Sequence, residues 1–187
     1  MLRILLSLAL VFALSPVALA KEVAGVELSE KFSVAGQELA LNGAGIRTKF
    51  FMDIYVAALY LGANSSDAAA IVAADEPMAI RLHIVSGMIN PKRMSDSTRD
   101  GFVRATGGNT APIEDGIEEL ISAFQDAVEE GDTFDLVYEP ESGVTVYRNG
   151  EAKSNVKGLE FKQALFGIWL SDDPIQDRLK DHMLAAE

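Results

Sequence analysis

Arg47 carries most of the chemistry that this chain's residue types could perform. It stands between a flexible segment, Gly43-Ala44-Gly45, and a run from Phe50 to Leu61 that is almost entirely apolar or aromatic. A guanidinium does not shed its proton, so one drawn into an apolar layer needs an anion or a strong acceptor beside it. That partner is either an internal carboxylate, with Asp53 close by in sequence, or a ligand. Other reactive groups do not gather. His83 and His182 lack the spacing of a metal site. No Gly-x-Ser-x-Gly elbow occurs. With no cysteine, disulfides, thiolate metal sites and a cysteine nucleophile are excluded. No metal and no cofactor is expected.

The elements that must position Arg47 follow from periodicity and turn residues. Glu22 to Leu41 reads as short strands with turns at Ala35-Gly36 and Asn42-Gly43. Phe50 to Leu61 reads as a central strand buried on both faces. Ser65-Ser66-Asp67 caps a short alanine-rich helix through Ala74, and Pro77 to Val85 alternates as a strand. Asn90-Pro91 starts a helix to Ala105, with asparagine at the N-cap and proline in the first turn. A second helix is predicted from Pro112 to Gly131, with Ile113, Ile117, Leu120, Ile121, Phe124 and Val128 on one face and acidic residues on a solvated one. Phe134 to Tyr138, Val144 to Arg148, the Asn149-Gly150 type I′ turn and Glu151 to Val156 form a three-stranded meander. Helices over Glu160 to Leu170 and Pro174 to Ala185 close the chain, Trp169 anchoring the first of them to the sheet. This order predicts an α+β domain, helices layered on one face of a mostly antiparallel sheet.

Arg3, the apolar stretch Ile4 to Leu14 and Ala18-Leu19-Ala20 predict an export signal over residues 1–20, cleaved after Ala20. The expected location is a bacterial periplasm, with a single domain over residues 21–187. Loss of Arg3 would take the formal net charge of −12 to −13. Such acidity argues against nucleic acid and anionic membrane surfaces as partners. It leaves room for a small anion at a local arginine, because salt screens distant surface charge. No segment after the signal approaches the ~20 apolar residues of a membrane span, so no stable membrane insertion is expected.

Gly43-Ala44-Gly45-Ile46-Arg47, the strand Asp53 to Leu61 and the segment Phe161 to Leu170 with its Ile168-Trp169-Leu170 resemble the chalcone isomerase superfamily. The likeness is closest to its bacterial, secreted, chalcone-isomerase-like branch. The resemblance implies an open-faced β-sandwich, a large antiparallel sheet with helices over one face. The superfamily holds plant isomerases that cyclise chalcones, plastid proteins that bind fatty acids, and non-catalytic members. Arg47 matches the arginine that steadies a phenolate oxygen in the isomerases. Tyr55 falls where isomerases carry a threonine and fatty-acid binders a tyrosine that holds the carboxylate together with the arginine. Asn90 and Ser97 stand where isomerases have a tyrosine and an asparagine, and Ile168 falls near a threonine or serine. Some mitochondrial relatives bind haem, which makes His83 and His182 remote axial-ligand candidates.

Most of the isomerase polar set is thus replaced. The expected function is non-catalytic binding of a small apolar anion such as a fatty acid, with Arg47 and Tyr55 as ligand-binding residues. The alternatives are an isomerase acting on a conjugated ketone through Arg47, Tyr55, Asn90 and Ser97, and a structural or partner-binding protein with a closed cleft. Spacing opposes part of this assignment. In one straight strand, Arg47 and Tyr55 would lie roughly 26 Å apart. Thr48 to Ile54 has no glycine or proline to turn the chain, so spacing favours Arg47 without Tyr55. Asn90 also has a purely structural reading as an N-cap, and Tyr55 and Tyr60 as plain strand aromatics.

Overall fold

The computed structural model describes residues 21–34 and 36–185. The export signal read in residues 1–20 lies outside them. A small hairpin, β1 (Lys21–Val23) and β2 (Val26–Leu28), precedes an antiparallel meander of seven strands. These are β3 (Lys31–Val34), β4 (Gln37–Lys49), β5 (Met52–Leu61), β6 (Met78–Ile84), β7 (Thr133–Glu139), β8 (Gly143–Arg148) and β9 (Glu151–Val156), each paired with its neighbour in sequence. Helices α1 (Ala68–Ala73), α2 (Pro91–Ala105), α3 (Glu114–Ser122), α4 (Leu159–Leu170) and α5 (Asp177–Met183) complete the chain. The α+β expectation holds, and the sheet is wholly antiparallel.

The run from Val56 to Tyr60 is fully buried because both faces of β5 are covered. On one face, alternate residues Tyr55, Ala57, Leu59 and Leu61 join the core beneath the helices, with Ile80 and Leu82 of β6, Phe102 of α2, and Phe161, Leu165 and Phe166 of α4. On the other, Val56, Ala58 and Tyr60 meet Val26, Leu28, Val34 and Leu39. Each larger apolar side chain buried this way contributes about 1.5–3 kcal/mol, so β5 is central to both apolar layers.

Four expectations require correction. Asn42-Gly43 makes no turn, and Gly43-Ala44-Gly45 is no flexible segment. Both lie inside β4, where the register shifts between Leu41 and Gly43. Asn42 is buried at this irregularity, its amide donating to the carbonyls of Ser65 and Met183 and accepting from Ser65 N. The helix predicted from Pro112 to Gly131 is a short 3₁₀ turn, Ala111–Ile113, followed by α3, which ends at Ser122. Phe124 and Val128 are still buried, so they fill the core from irregular chain rather than from a helix. The last helix, predicted from Pro174 to Ala185, is only Asp177–Met183.

The fourth correction decides the site. Phe50 and Phe51 do not begin the strand. They form a two-residue turn between β4 and β5, with φ of 51° and 64°. Two successive positive φ angles belong to a type I′ hairpin, a geometry that favours Asn-Gly. A side chain in this left-handed region costs about 1–2 kcal/mol per residue. The absence of glycine between Thr48 and Ile54 therefore did not prevent a sharp reversal.

Candidate ligand-binding cleft

The hairpin places Arg47 directly opposite Tyr55 as a cross-strand pair. Facing residues in an antiparallel ladder have Cβ atoms about 4.5–5.5 Å apart and share one face. The side is the one under the helices, since Tyr55 belongs to the helix-side core. The roughly 26 Å separation of a straight strand is thereby replaced by direct adjacency. Gly43 and Gly45 stand on the same face of β4, four and two residues before Arg47. Helix α5 lies against them: a Cβ on Gly43 would come within 2.4 Å of the His182 carbonyl oxygen, and one on Gly45 within 2.7 Å of the His182 Cβ. The glycines let a helix touch the strand. That helix brings in Gln176, whose Oε1 accepts from Arg47 Nη1 and from Thr48 N, each at 3.0 Å.

Arg47 Nη1 also donates to the Thr48 carbonyl at 2.8 Å. Among the described residues, Arg47 makes no ion pair, so Asp53 is not its internal partner; Asp53 faces the Thr48 hydroxyl at 3.5 Å instead. Both of these Arg47 bonds use one nitrogen, which leaves a second edge of the guanidinium for an oxyanion. Tyr55 is 7% exposed, and its oxygen accepts from Trp169 Nε1 at 3.1 Å. Burial pushes the phenol pKa up, outweighing the Trp169 hydrogen bond and the Arg47 charge. Tyr55 is therefore a neutral donor, and its O–H has no acceptor among the described residues.

Arg47 and Tyr55 line a cleft of about 380 Å³ with Lys49, Phe50, Met52, Ile54, Met88, Ile89, Arg93, Met94, Asp96, Ser97 and Asp100. Inward of it lies a smaller void of about 40 Å³ bounded by Leu82, Leu165, Ile168 and Trp169; Tyr55, Met94 and Ser97 border both. The void opens where α2 and α4 approach closely, Gly101 lying beneath Ile168. Asp96 is already paired with Lys92. The cleft thus combines three cations and two carboxylates with an apolar, methionine-rich lining, and three methionines give a wall that adapts to shape. Such a site suits a carboxylate carrying an apolar tail.

Of the residues singled out in the sequence, Arg47, Tyr55, Ser97 and Ile168 converge, while Asn90 does not. Its carboxamide accepts from Arg93 N at 2.9 Å and caps α2, as its purely structural reading held. Tyr60 points to the other face and donates to the Ser29 carbonyl. His83 borders a separate groove with Asp53 and Glu130. His182 packs over Gly45. Among the described residues, no group of three His, Asp or Glu side chains could hold a metal. The sequence reading missed Lys49, Arg93 and Gln176. Arg93 could have been found from its position in the first turn of the helix that Asn90-Pro91 starts; nothing local in the sequence marks Gln176.

The profile of the chalcone isomerase-like family matches residues 20–185, a span that includes every described residue. The chain belongs to the chalcone isomerase-like family. No curated protein sequence matches it. Among solved structures, this chalcone isomerase-like protein is similar to a fatty-acid binding protein of Arabidopsis thaliana, with a TM-score of 0.67 at 16% identity over 86% of this chain and 92% of the other. At that identity the likeness establishes a shared fold.

Proposed function

We propose that this chalcone isomerase-like protein binds a fatty acid without transforming it, holding the carboxylate between Arg47 and Tyr55. The observation that carries the reading is their pairing across the hairpin inside one cleft. In this arrangement Arg47 presents its free edge to one carboxylate oxygen and Tyr55 donates its unshared O–H to the other, while Trp169 holds the phenol in place. The fatty-acid binding of the similar Arabidopsis protein supports the same reading. Export to a periplasm, through the signal in residues 1–20, is part of it.

The outer cleft of about 380 Å³ takes the part of the tail next to the carboxylate. The inner void is far smaller, about 40 Å³, so a long chain extends into it only if Met94, Ile168 and Trp169 part. An isomerase reading is less supported, because Asn90 is spent on capping α2 and Ile168 offers no polar atom.

Native mass spectrometry of protein purified from cells, with Arg47→Ala alongside, tests the proposal. A bound fatty-acid mass in the wild type that the variant loses is expected. Equal retention by both would overturn the Arg47 clamp, and turnover of hydroxychalcones by the wild type would overturn the non-catalytic reading.

A further inference from the structure

Phe50 and Phe51 are 80% and 102% exposed, and Met88, which lines the same cleft as Phe50, is 51% exposed. Backbone geometry does not account for these residues, since two positive φ angles in a hairpin turn favour Asn-Gly. Nor does the core, which neither phenylalanine enters. Phe50 and Met88 instead border the outer cleft together with Lys49 and Arg93, and Lys49 Nζ lies 5.9 Å from the Phe50 ring centroid. The result is an aromatic tip set among cations on a chain whose formal net charge is −12. Of the nearby carboxylates, Asp96 is paired with Lys92, and Asp53 and Asp100 are exposed.

We propose that the Phe50-Phe51 tip docks the mouth of the cleft onto an anionic phospholipid surface, so that the ligand passes between bilayer and protein without crossing water. The inference rests on the fatty-acid reading. Exposed aromatics sink into the boundary between headgroups and acyl chains, while flanking Lys and Arg meet anionic headgroups. Charge complementarity is local: Arg47, Lys49 and Arg93 outnumber Asp96 and Asp100 at this mouth, which leaves it net positive on a chain that is strongly acidic as a whole. The apolar tip is also continuous with the cleft lining, so docking would align the cleft with the acyl layer. A second copy of the chain or a protein partner would use the aromatics but has no need of this alignment. Docking of this kind is peripheral and reversible.

The test is co-sedimentation of the purified protein with vesicles of equimolar phosphatidylcholine and phosphatidylglycerol, beside oleate titration followed by the fluorescence of Trp169, the single tryptophan. The principal variant is Phe51→Gly, which supplies the residue a type I′ turn prefers at a fully exposed position outside the cleft lining, so it should fold. It is expected to lower vesicle partitioning roughly tenfold or more with oleate affinity unchanged. The double variant Phe50→Asn with Phe51→Gly should unfold at a higher temperature than wild type while losing vesicle binding further. Unchanged partitioning of Phe51→Gly would overturn the proposal. So would a wild type that binds oleate but no vesicles, or one that instead self-associates through the tip. Vesicle docking without oleate binding would uphold the surface and overturn the cargo.

Discussion

Arg47 is held rather than merely present. Gln176 Oε1 bridges its Nη1 and the Thr48 amide, which fixes where the guanidinium points without neutralising it. Gln176 is therefore a positioning residue. Gln176→Ala should weaken oleate binding about three- to tenfold, the equivalent of one ordinary hydrogen bond of about 1 kcal/mol, with the tail-dependent part of the affinity intact. A titration series of acids of different chain length checks this: the loss should be constant across the series. At this scale the sequence was half legible. A charged residue beside an apolar run marked Arg47 as a residue in need of a partner. Spacing argues against Tyr55, which the family resemblance retains as a ligand-binding residue, because Phe50-Phe51 carries none of the chemistry by which a type I′ turn is normally read.

The Gly-x-Gly before Arg47 is an element-level device. Both glycines clear the surface of β4 for α5, and α5 in turn delivers Gln176. Gly43→Ala would drive a Cβ into the His182 backbone, so it should destabilise the fold by about 1–3 kcal/mol, read as a lower urea midpoint, and should weaken ligand binding by displacing Gln176. A second device joins α4 to α1. Lys162 is fully buried, and its ammonium donates to the carbonyls of Ile71, Val72 and Ala74 at 2.9, 2.9 and 2.7 Å, satisfying the C-terminus of α1. Burial pulls its pKa down from 10.5 to about 8, against the opposing pull of Asp75 and Glu76. Between those values the unfolded chain binds more protons at this site than the folded one, so the site's contribution to stability grows as pH rises from about 8 to 10.5. The unfolding free energy of wild type minus that of Lys162→Met should accordingly increase over this window; a decrease would show that the amine stays charged in the fold. Elements with strong local signals, such as the Asn90-Pro91 start of α2 and the Asn149-Gly150 turn, were readable in the sequence. The breaking of the second helix at Ser122 was not, because apolar spacing continued past it and Phe124 and Val128 are buried without helical structure.

At the scale of the molecule, one sheet separates two apolar layers, and the cleft opens at the end of the sheet where β4 reverses into β5. The order of strands and helices was legible because every pairing in the meander is between neighbours in sequence. What no periodicity could supply was how the helix layer sits on the sheet, which depends on contacts 129 residues apart, as between Arg47 and Gln176. Net acidity also says little about the site, whose local cations oppose it. The account's central claim is that a carboxylate is held at Arg47 inside this cleft. The most direct measurement is the dissociation constant of oleate and of methyl oleate for wild type and Arg47→Ala, read from Trp169 fluorescence. A charge-assisted contact of about 1.5–3 kcal/mol predicts that Arg47→Ala weakens oleate roughly ten- to hundredfold and leaves the uncharged ester nearly unaffected. Equal loss for acid and ester, or no loss for either, would contradict it.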